Sequence, residues 1–257
     1  MFELPDSAIV IAFVLCLVRA GALVATAPLL GASFATTPPK IALSMALAFA
    51  LYGAAGEPAV DAGGMHLTVL VMRELVIGLF LGFLLQLVLM AIRVMGEILG
   101  LEMGLQMANQ VDPVTGISMP IVTRIYEGFA MLALLSIDAH HWVVRSLFDS
   151  IERAPLGIVA STDALGSVFM AMSSEMLGAG LALAAPFSIV MSLVSILLGL
   201  LARTAPQVNV LELGFTLRIA IAMVAMLVFS PLLGPMFDAL FQSLADWIEV
   251  GLDALEG

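Results

Sequence analysis

The residues that could do chemistry here are few, and most are charges set inside apolar runs. Charge at membrane depth is costly and is usually paired or turned toward a cavity. Several of these charges have an opposite charge one helical turn away: Arg93 with Glu97, Arg124 with Glu127, and Arg145 with Asp149. Spacings of three or four residues place both partners on one helix face. Neutralisation within the fold is therefore the leading reading, with an ion or proton relay and a partner contact as the other two. Glu102 and Glu175 have no basic residue at that spacing. A carboxyl group desolvated in an apolar setting tends toward its neutral form, so each is expected either to be neutral or to pair with another subunit. Asp138, His140, His141 and Trp142 form a polar cluster between apolar stretches. Metal binding wants more ligands in suitable geometry, so a turn or interface role is favoured and no metal or cofactor is expected. There is no Gly-x-Ser-x-Gly elbow, P-loop, HExxH pattern or Cys/His cluster, so the chain does not read as an enzyme.

The elements that carry these charges are set by composition. Of 257 residues, 62% are apolar and 11% are charged, against about 25% charged in ordinary soluble domains. Mean hydropathy is +1.14. A water-soluble domain cannot hide this much apolar surface. Nine basic against twenty acidic residues give a net charge of −11, and Lys40 is the sole lysine. That excludes a basic footprint for nucleic acid and a polybasic lipid-binding stretch. The single cysteine, Cys16, lies in an apolar run and reads as a small buried residue. The first residues lack the basic region of a cleaved signal peptide, so the run Ala8 to Leu30 is expected to be a retained membrane helix.

Breaks along the chain predict an all-α, polytopic membrane protein forming one domain over residues 1–257. Pro38-Pro39 delays a helix that then runs to Ala55, short for a span of about 20 residues. Leu67 to Leu105 is one long helix, or two broken near Gly96 or Gly100. Ile121 to Phe148 is apolar. Pro186 is expected to kink or break the stretch Ala164 to Leu201, and 202–209 to interrupt it. Ser230-Pro231 and Gly234-Pro235 are expected to break the run after Val210, leaving an acidic amphipathic tail at about 238–257. Basic residues are too sparse for a vote on membrane orientation, a hint that the helices face other protein.

The most informative segment is Gly104, Leu105, Gln106, Met107, Ala108, Asn109, Gln110, Val111, Asp112, Pro113, Val114, Thr115, Gly116, Ile117, Ser118, Met119 and Pro120. Pro113 disfavours helix at Asp112, Gly116 permits a turn, and Pro120 suits a helix start. This polar piece sits between the most membrane-like stretches. Irregular backbone at membrane depth survives only when buried in protein or lining a cavity. The segment is thus either an ordinary external loop or a loop that projects into a pore.

At this point the sequence resembles a known family. Gly96-Glu97-Ile98-Leu99-Gly100-Leu101-Glu102-Met103-Gly104, Asp112-Pro113, Met119-Pro120, His140 with Trp142, Pro155-Leu156-Gly157, and Ala205-Pro206-Gln207-Val208-Asn209 followed by Gly214-Phe215 resemble the FliR family of the type III secretion export gate. Thr26-Ala27-Pro28 and Pro39-Lys40 are similar to its N-terminal part. The likeness covers essentially the whole chain, and the motif Pro206, Gln207, Asn209, Gly214, Phe215 is the most specific. Glu102 stands where glutamine is common, Ala139 where glycine is common, and Thr216 where proline is common. The second departure puts a tight turn in doubt, and the third a kink.

The resemblance implies helical hairpins that look like a fused FliP-like and FliQ-like subunit. It implies a single copy in a hetero-oligomer with FliP-like and FliQ-like chains, and FlhB-like and FlhA-like components nearby. It also implies the bacterial inner membrane at the flagellar basal body, and unfolded export substrates passing through a central pore. The segment 104–120 becomes a plug that closes this pore, with Arg93, Glu97, Glu102 and Glu175 as candidate buried-charge or interface positions. A virulence-type secretion apparatus is the alternative setting. A small-solute secondary transporter is the competing class, but it predicts inverted repeats that the sequence lacks.

Overall fold

A computed structural model describes residues 7–28, 37–55, 64–104, 120–157, 163–205, 207 and 209–255. Among them it is all-α, with no strand. The helices are α1 (Ser7–Thr26), α2 (Thr37–Ala55), α3 (Gly64–Glu102), α4 (Ile121–Ser136), α5 (Ala139–Arg153), α6 (Asp163–Thr204) and α7 (Val210–Asp253). Five stretches among the described residues are long and apolar enough to cross a membrane: Ala8–Thr26, Thr37–Ala55, Leu67–Glu102, Ala164–Thr204 and Leu213–Asp253.

Local chemistry sets the helix ends. Thr37 precedes Pro38 and Pro39 in the first turn of α2, where a missing N–H costs nothing. Starting there lengthens α2 to 19 residues, so the short segment reaches spanning length. α3 is a single helix of 39 residues, not two. It stops at Gly104, whose φ of 75° is the left-handed cap that glycine permits, with Gly104 N donating to Leu101 O at 2.9 Å. Pro120 begins the next element, and its carbonyl accepts from Arg124 N at 3.3 Å. The apolar run after it is two helices. Asp138, at φ 55°, turns the chain between α4 and α5. The tight turn is therefore present without a glycine at position 139, because the left-handed position falls one residue earlier, on an aspartate that tolerates it.

The prolines expected to break helices do not. Pro186 lies inside α6, and Pro231 and Pro235 inside α7, which has 44 residues. Pro231 has no N–H for the carbonyl of Leu227, one turn back. The Ser230 hydroxyl donates to that same carbonyl at 2.8 Å. Such re-satisfaction lets apolar helices keep proline. The acidic tail is consequently the last third of α7, and Phe237, Leu240, Phe241, Leu244, Ile248 and Leu252 form its buried stripe at helical spacing.

By internal contacts the chain divides into two compact units: residues 1–87 with 135–174 and 241–257, and residues 88–134 with 175–240. Helices α3, α6 and α7 contribute to both. In the first unit α1 packs along α2, and Leu15, Leu23, Leu70, Ile77, Leu81, Leu84, Leu147 and Phe241 are buried. Gly78 and Gly82 of α3 meet α1, where a Cβ on Gly78 would collide with the Arg19 carbonyl oxygen. Close helix approach through small residues is the packing expected where lipid removes the hydrophobic drive between helices. Large apolar side chains remain exposed along α6 and α7, among them Ile189, Leu193, Leu197, Leu227 and Val228. Patches of this extent mark contact with lipid or with other subunits.

Candidate gate segment and its anchors

Of the plug-like segment 104–120, residues 105–119 lie outside the described residues, as do Pro206 and Val208 of the C-terminal motif. The structure does describe the anchors at both ends, all within the second unit. A Cβ built on Gly100 would lie 2.7 Å from Pro120 Cβ, and one on Gly96 would lie 2.6 Å from Thr123 Cα. Gly96 and Gly100 are one turn apart, so they form a flat strip on α3 against which the start of α4 lies in direct contact. The two ends of the segment are thus joined at a fixed base. Gly104 packs on Phe215, with the aromatic edge 3.6 Å from where its Cβ would be. Gly214 is buried against Leu198. Asn209 stands where α7 begins, its carbonyl accepting from Leu213 N at 3.1 Å. Gln207 is exposed. The motif that carries the family resemblance therefore meets the start of segment 105–119 through Phe215 and Gly104.

An ion pair closes the same base. Arg93 Nε donates to Glu127 Oε1 at 2.9 Å, and Nη2 donates to the same oxygen. The sequence spacing suggests Glu97 as the partner of Arg93 and Arg124 as that of Glu127. The structure corrects this pairing. The Arg93 fork reaches across to α4, because the glycine strip brings that helix within side-chain reach. Both groups are only partly covered, with side-chain exposures of 35% for Arg93 and 18% for Glu127. Glu97 is half-buried. Glu102 is half-buried beside a cavity of about 10 Å³ lined by Leu99, Met103, Phe187, Met191, Ala222 and Met226. Glu175 is exposed on α6, so its own chain does not desolvate it. Arg218 Nη2 donates to Ser195 Oγ at 3.1 Å and ties α7 to α6.

Sequence reasoning missed a fully buried charge network in the first unit. Arg19 and Glu74 are fully buried, and the Arg19 Nε–H bonds to Glu74 Oε2. Arg19 also donates to Ser150 Oγ at 2.9 Å and to Ala154 O at 3.0 Å. Arg73 donates to Glu74 Oε1 at 3.3 Å and to Pro155 O at 3.0 Å. Two cations thus share one carboxylate, and the remaining positive charge faces the C-terminus of α5. Unpaired carbonyls and the negative end of the helix dipole favour a cation there. The network clamps the Pro155-Leu156-Gly157 connection to α1 and α3. No local pattern reveals it: Arg73 and Glu74 are neighbours that do not face one another along a helix, and Arg19 has its partner fifty-five residues away. The usable signal was the cost of an intramembrane arginine, which demands a partner somewhere.

At the α4–α5 turn, Asp138, His140 and His141 bring one ligand atom each to within 4.8 Å of one another. Arg153 bonds to Asp253, joining the ends of α5 and α7.

Comparison with known proteins places this architecture. The family described as bacterial export proteins, family 1, matches residues 10–244. The chain is 32% identical to the flagellar biosynthetic protein FliR of Escherichia coli (strain K12) over 244 residues, 90% of each chain. It is 28% identical to the FliR of Bacillus subtilis (strain 168) over 220 residues, 84% of this chain and 85% of that one. It is also 28% identical to the Yop proteins translocation protein T of Yersinia pestis over 196 residues, 71% of each. With an all-helical structure, five helices of membrane-spanning character and a family match over nearly its whole length, the chain belongs to the FliR family of bacterial export proteins, membrane components of the type III export apparatus.

Proposed function

We propose that this chain is the gate-closing subunit of a flagellar-type export pore, and that residues 105–119 are its plug. The observation that carries the reading is the contact of Gly100 with Pro120. It joins the two ends of a polar 15-residue segment at a base held by a glycine strip and the Arg93–Glu127 pair. Connections of such length between helices are uncommon, and functional loops are one of the classes they fall into. The exposed apolar faces of α6 and α7 are what a subunit seated among FliP-like and FliQ-like chains requires. FlhB-like and FlhA-like components complete the surroundings in this reading, and the bacterial inner membrane at the flagellar basal body is the location.

The mechanism is gating rather than catalysis. In the resting state the plug fills the pore and blocks ions. An unfolded substrate chain exchanges its own contacts for those of the plug. The closed and open states then differ by only a few kcal/mol, because substrate can shift the equilibrium no further than its differential affinity allows. Gly104 serves as the flexible end, because glycine, lacking a Cβ, takes the left-handed conformation at no steric cost. Identity to FliR chains over 90% of the length favours the flagellar setting over the translocation apparatus named for the Yersinia relative.

The test is deletion of Gln106 to Ser118 in cells that express the whole complex. Assembly is expected to survive, as judged by native mass spectrometry of the purified complex, while the membrane becomes leaky to small ions. Normal ion permeability in a fully assembled deletion complex overturns the plug assignment.

A further inference from the structure

Asp138, His140 and His141 lie outside the proposed gate segment, yet their geometry has a chemistry of its own. His141 Nδ1 lies 3.6 Å from Asp138 Oδ1, and His140 Nε2 lies 4.0 Å from the same oxygen. The two rings sit with centroids 4.1 Å apart at 36°. The backbone creates the convergence. Asp138, at φ 55°, reverses the chain and sets its carboxylate beside the first turn of α5, where His140 and His141 follow. His140 Nδ1 is buried, and the nitrogen on the Asp138 side is Nε2.

We propose that Asp138, His140 and His141 bind one divalent transition-metal ion of the zinc class. Ligands held about 2.0–2.2 Å from a tetrahedral ion stand roughly 3.3 Å apart, so the separations to Asp138 Oδ1 contract by well under 1 Å, and the widest, within 4.8 Å, by no more than about 1.5 Å, which rotation of the exposed side chains supplies. Two imidazoles and one carboxylate suit zinc, cobalt and nickel, and they are too few and too nitrogen-rich for calcium or magnesium. The fourth position is left to water. Asp138 and His141 are both about 70% exposed at the side chain, so an ion enters without any opening of the fold. The N-terminus of α5 disfavours a cation, and the Asp138 carboxylate offsets it. All three ligands stand at the start of α5, with Asp138 as its capping residue, so an ion here fixes the turn that leads into that helix.

The experiment uses the full chain in detergent, without a polyhistidine tag, titrated with Co²⁺ and followed by its visible absorption, then with Zn²⁺ as competitor. One ion per chain is expected. His141→Ala and Asp138→Asn each remove a ligand from an exposed position, so circular dichroism should show wild-type helix content. Each should weaken binding by more than the about 10–100-fold that loss of an outer partner costs. His66→Ala, which removes the third histidine of the chain, should leave affinity unchanged. No cobalt spectrum, equal affinity in the His141 and Asp138 variants, or loss on His66→Ala overturns the site.

Discussion

Replacing Gly96 with alanine tests whether the base of segment 105–119 depends on direct backbone contact. The added Cβ would stand 2.6 Å from Thr123 Cα and 3.0 Å from its Cβ and Oγ1. Carbon atoms rest at about 3.5–4.0 Å, so the start of α4 must retreat by about 1 Å. The nearest atom is main chain, so no rotamer change relieves it. Overpacking of this kind costs about 1–3 kcal/mol, while alanine over glycine in a helix returns about 1 kcal/mol. Gly128→Ala, on α4, is the matched control, because its Cβ would meet nothing within 4 Å. The propensity gain cancels between the two variants. Gly96→Ala should therefore be about 1–3 kcal/mol less stable than Gly128→Ala, which is about 2–4 °C in melting midpoint per kcal/mol at this size. The assay is thermal unfolding of the purified chain in detergent, followed by far-ultraviolet circular dichroism. A Gly96→Ala chain that melts at or above Gly128→Ala refutes the close-contact argument.

Further predictions follow from the buried charges and the proline-bearing helix. Glu74→Gln leaves Arg19 and Arg73 without their shared carboxylate. Breaking a buried pair costs about 3–5 kcal/mol, a large part of a typical stability of about 5–15 kcal/mol. Membrane levels of the variant should fall sharply, and wild-type abundance with an unchanged midpoint counts against the network. Arg93→Glu and Glu127→Arg should each destabilise, and together restore, with a coupling of about 0.5–3 kcal/mol. Glu97→Ala should be near neutral, and a double-mutant cycle that places the coupling on Glu97 instead would return the pairing to the local one. Ser230→Ala should cost about 0.5–1.5 kcal/mol. In a Pro231→Ala background, where the backbone N–H again serves Leu227 O, the loss should shrink; an equal loss in both backgrounds rejects that role for the hydroxyl.

How much was legible in the sequence follows from the range of the forces involved. Helix class, membrane character and the helix starts at Pro38-Pro39 and Pro120 rest on composition and on residues next to the boundary, so the sequence shows them directly. The prolines misled for the opposite reason. In water, Pro231 removes a hydrogen bond and the helix ends. In an apolar helix the surviving carbonyl must be satisfied, and the neighbouring Ser230 does so, so the break is repaired instead of exploited. The same holds at position 139, where a missing glycine suggested a lost turn while Asp138 carried the left-handed backbone.

Charge pairing shows where local reading ends. One-turn spacing is a statement about a single helix, and it fails when another helix offers a closer partner. The glycine strip Gly96/Gly100 provides that closeness for Arg93, and the strip Gly78/Gly82 brings α1, with Arg19, against α3 where Glu74 stands. In both units the small residues come first in the causal order. They let the backbones touch, contact puts a guanidinium within reach of a carboxylate on another helix, and the pair then makes the contact costly to lose. The motif residues Gly100, Gly104 and Phe215 carried the family resemblance without revealing why they matter. The structure supplies the reason: two of them permit close approach or a left-handed cap, and the third packs against that cap. A sequence motif in a membrane helix is thus better read first for which neighbour it admits, and only then for the chemistry of its charges.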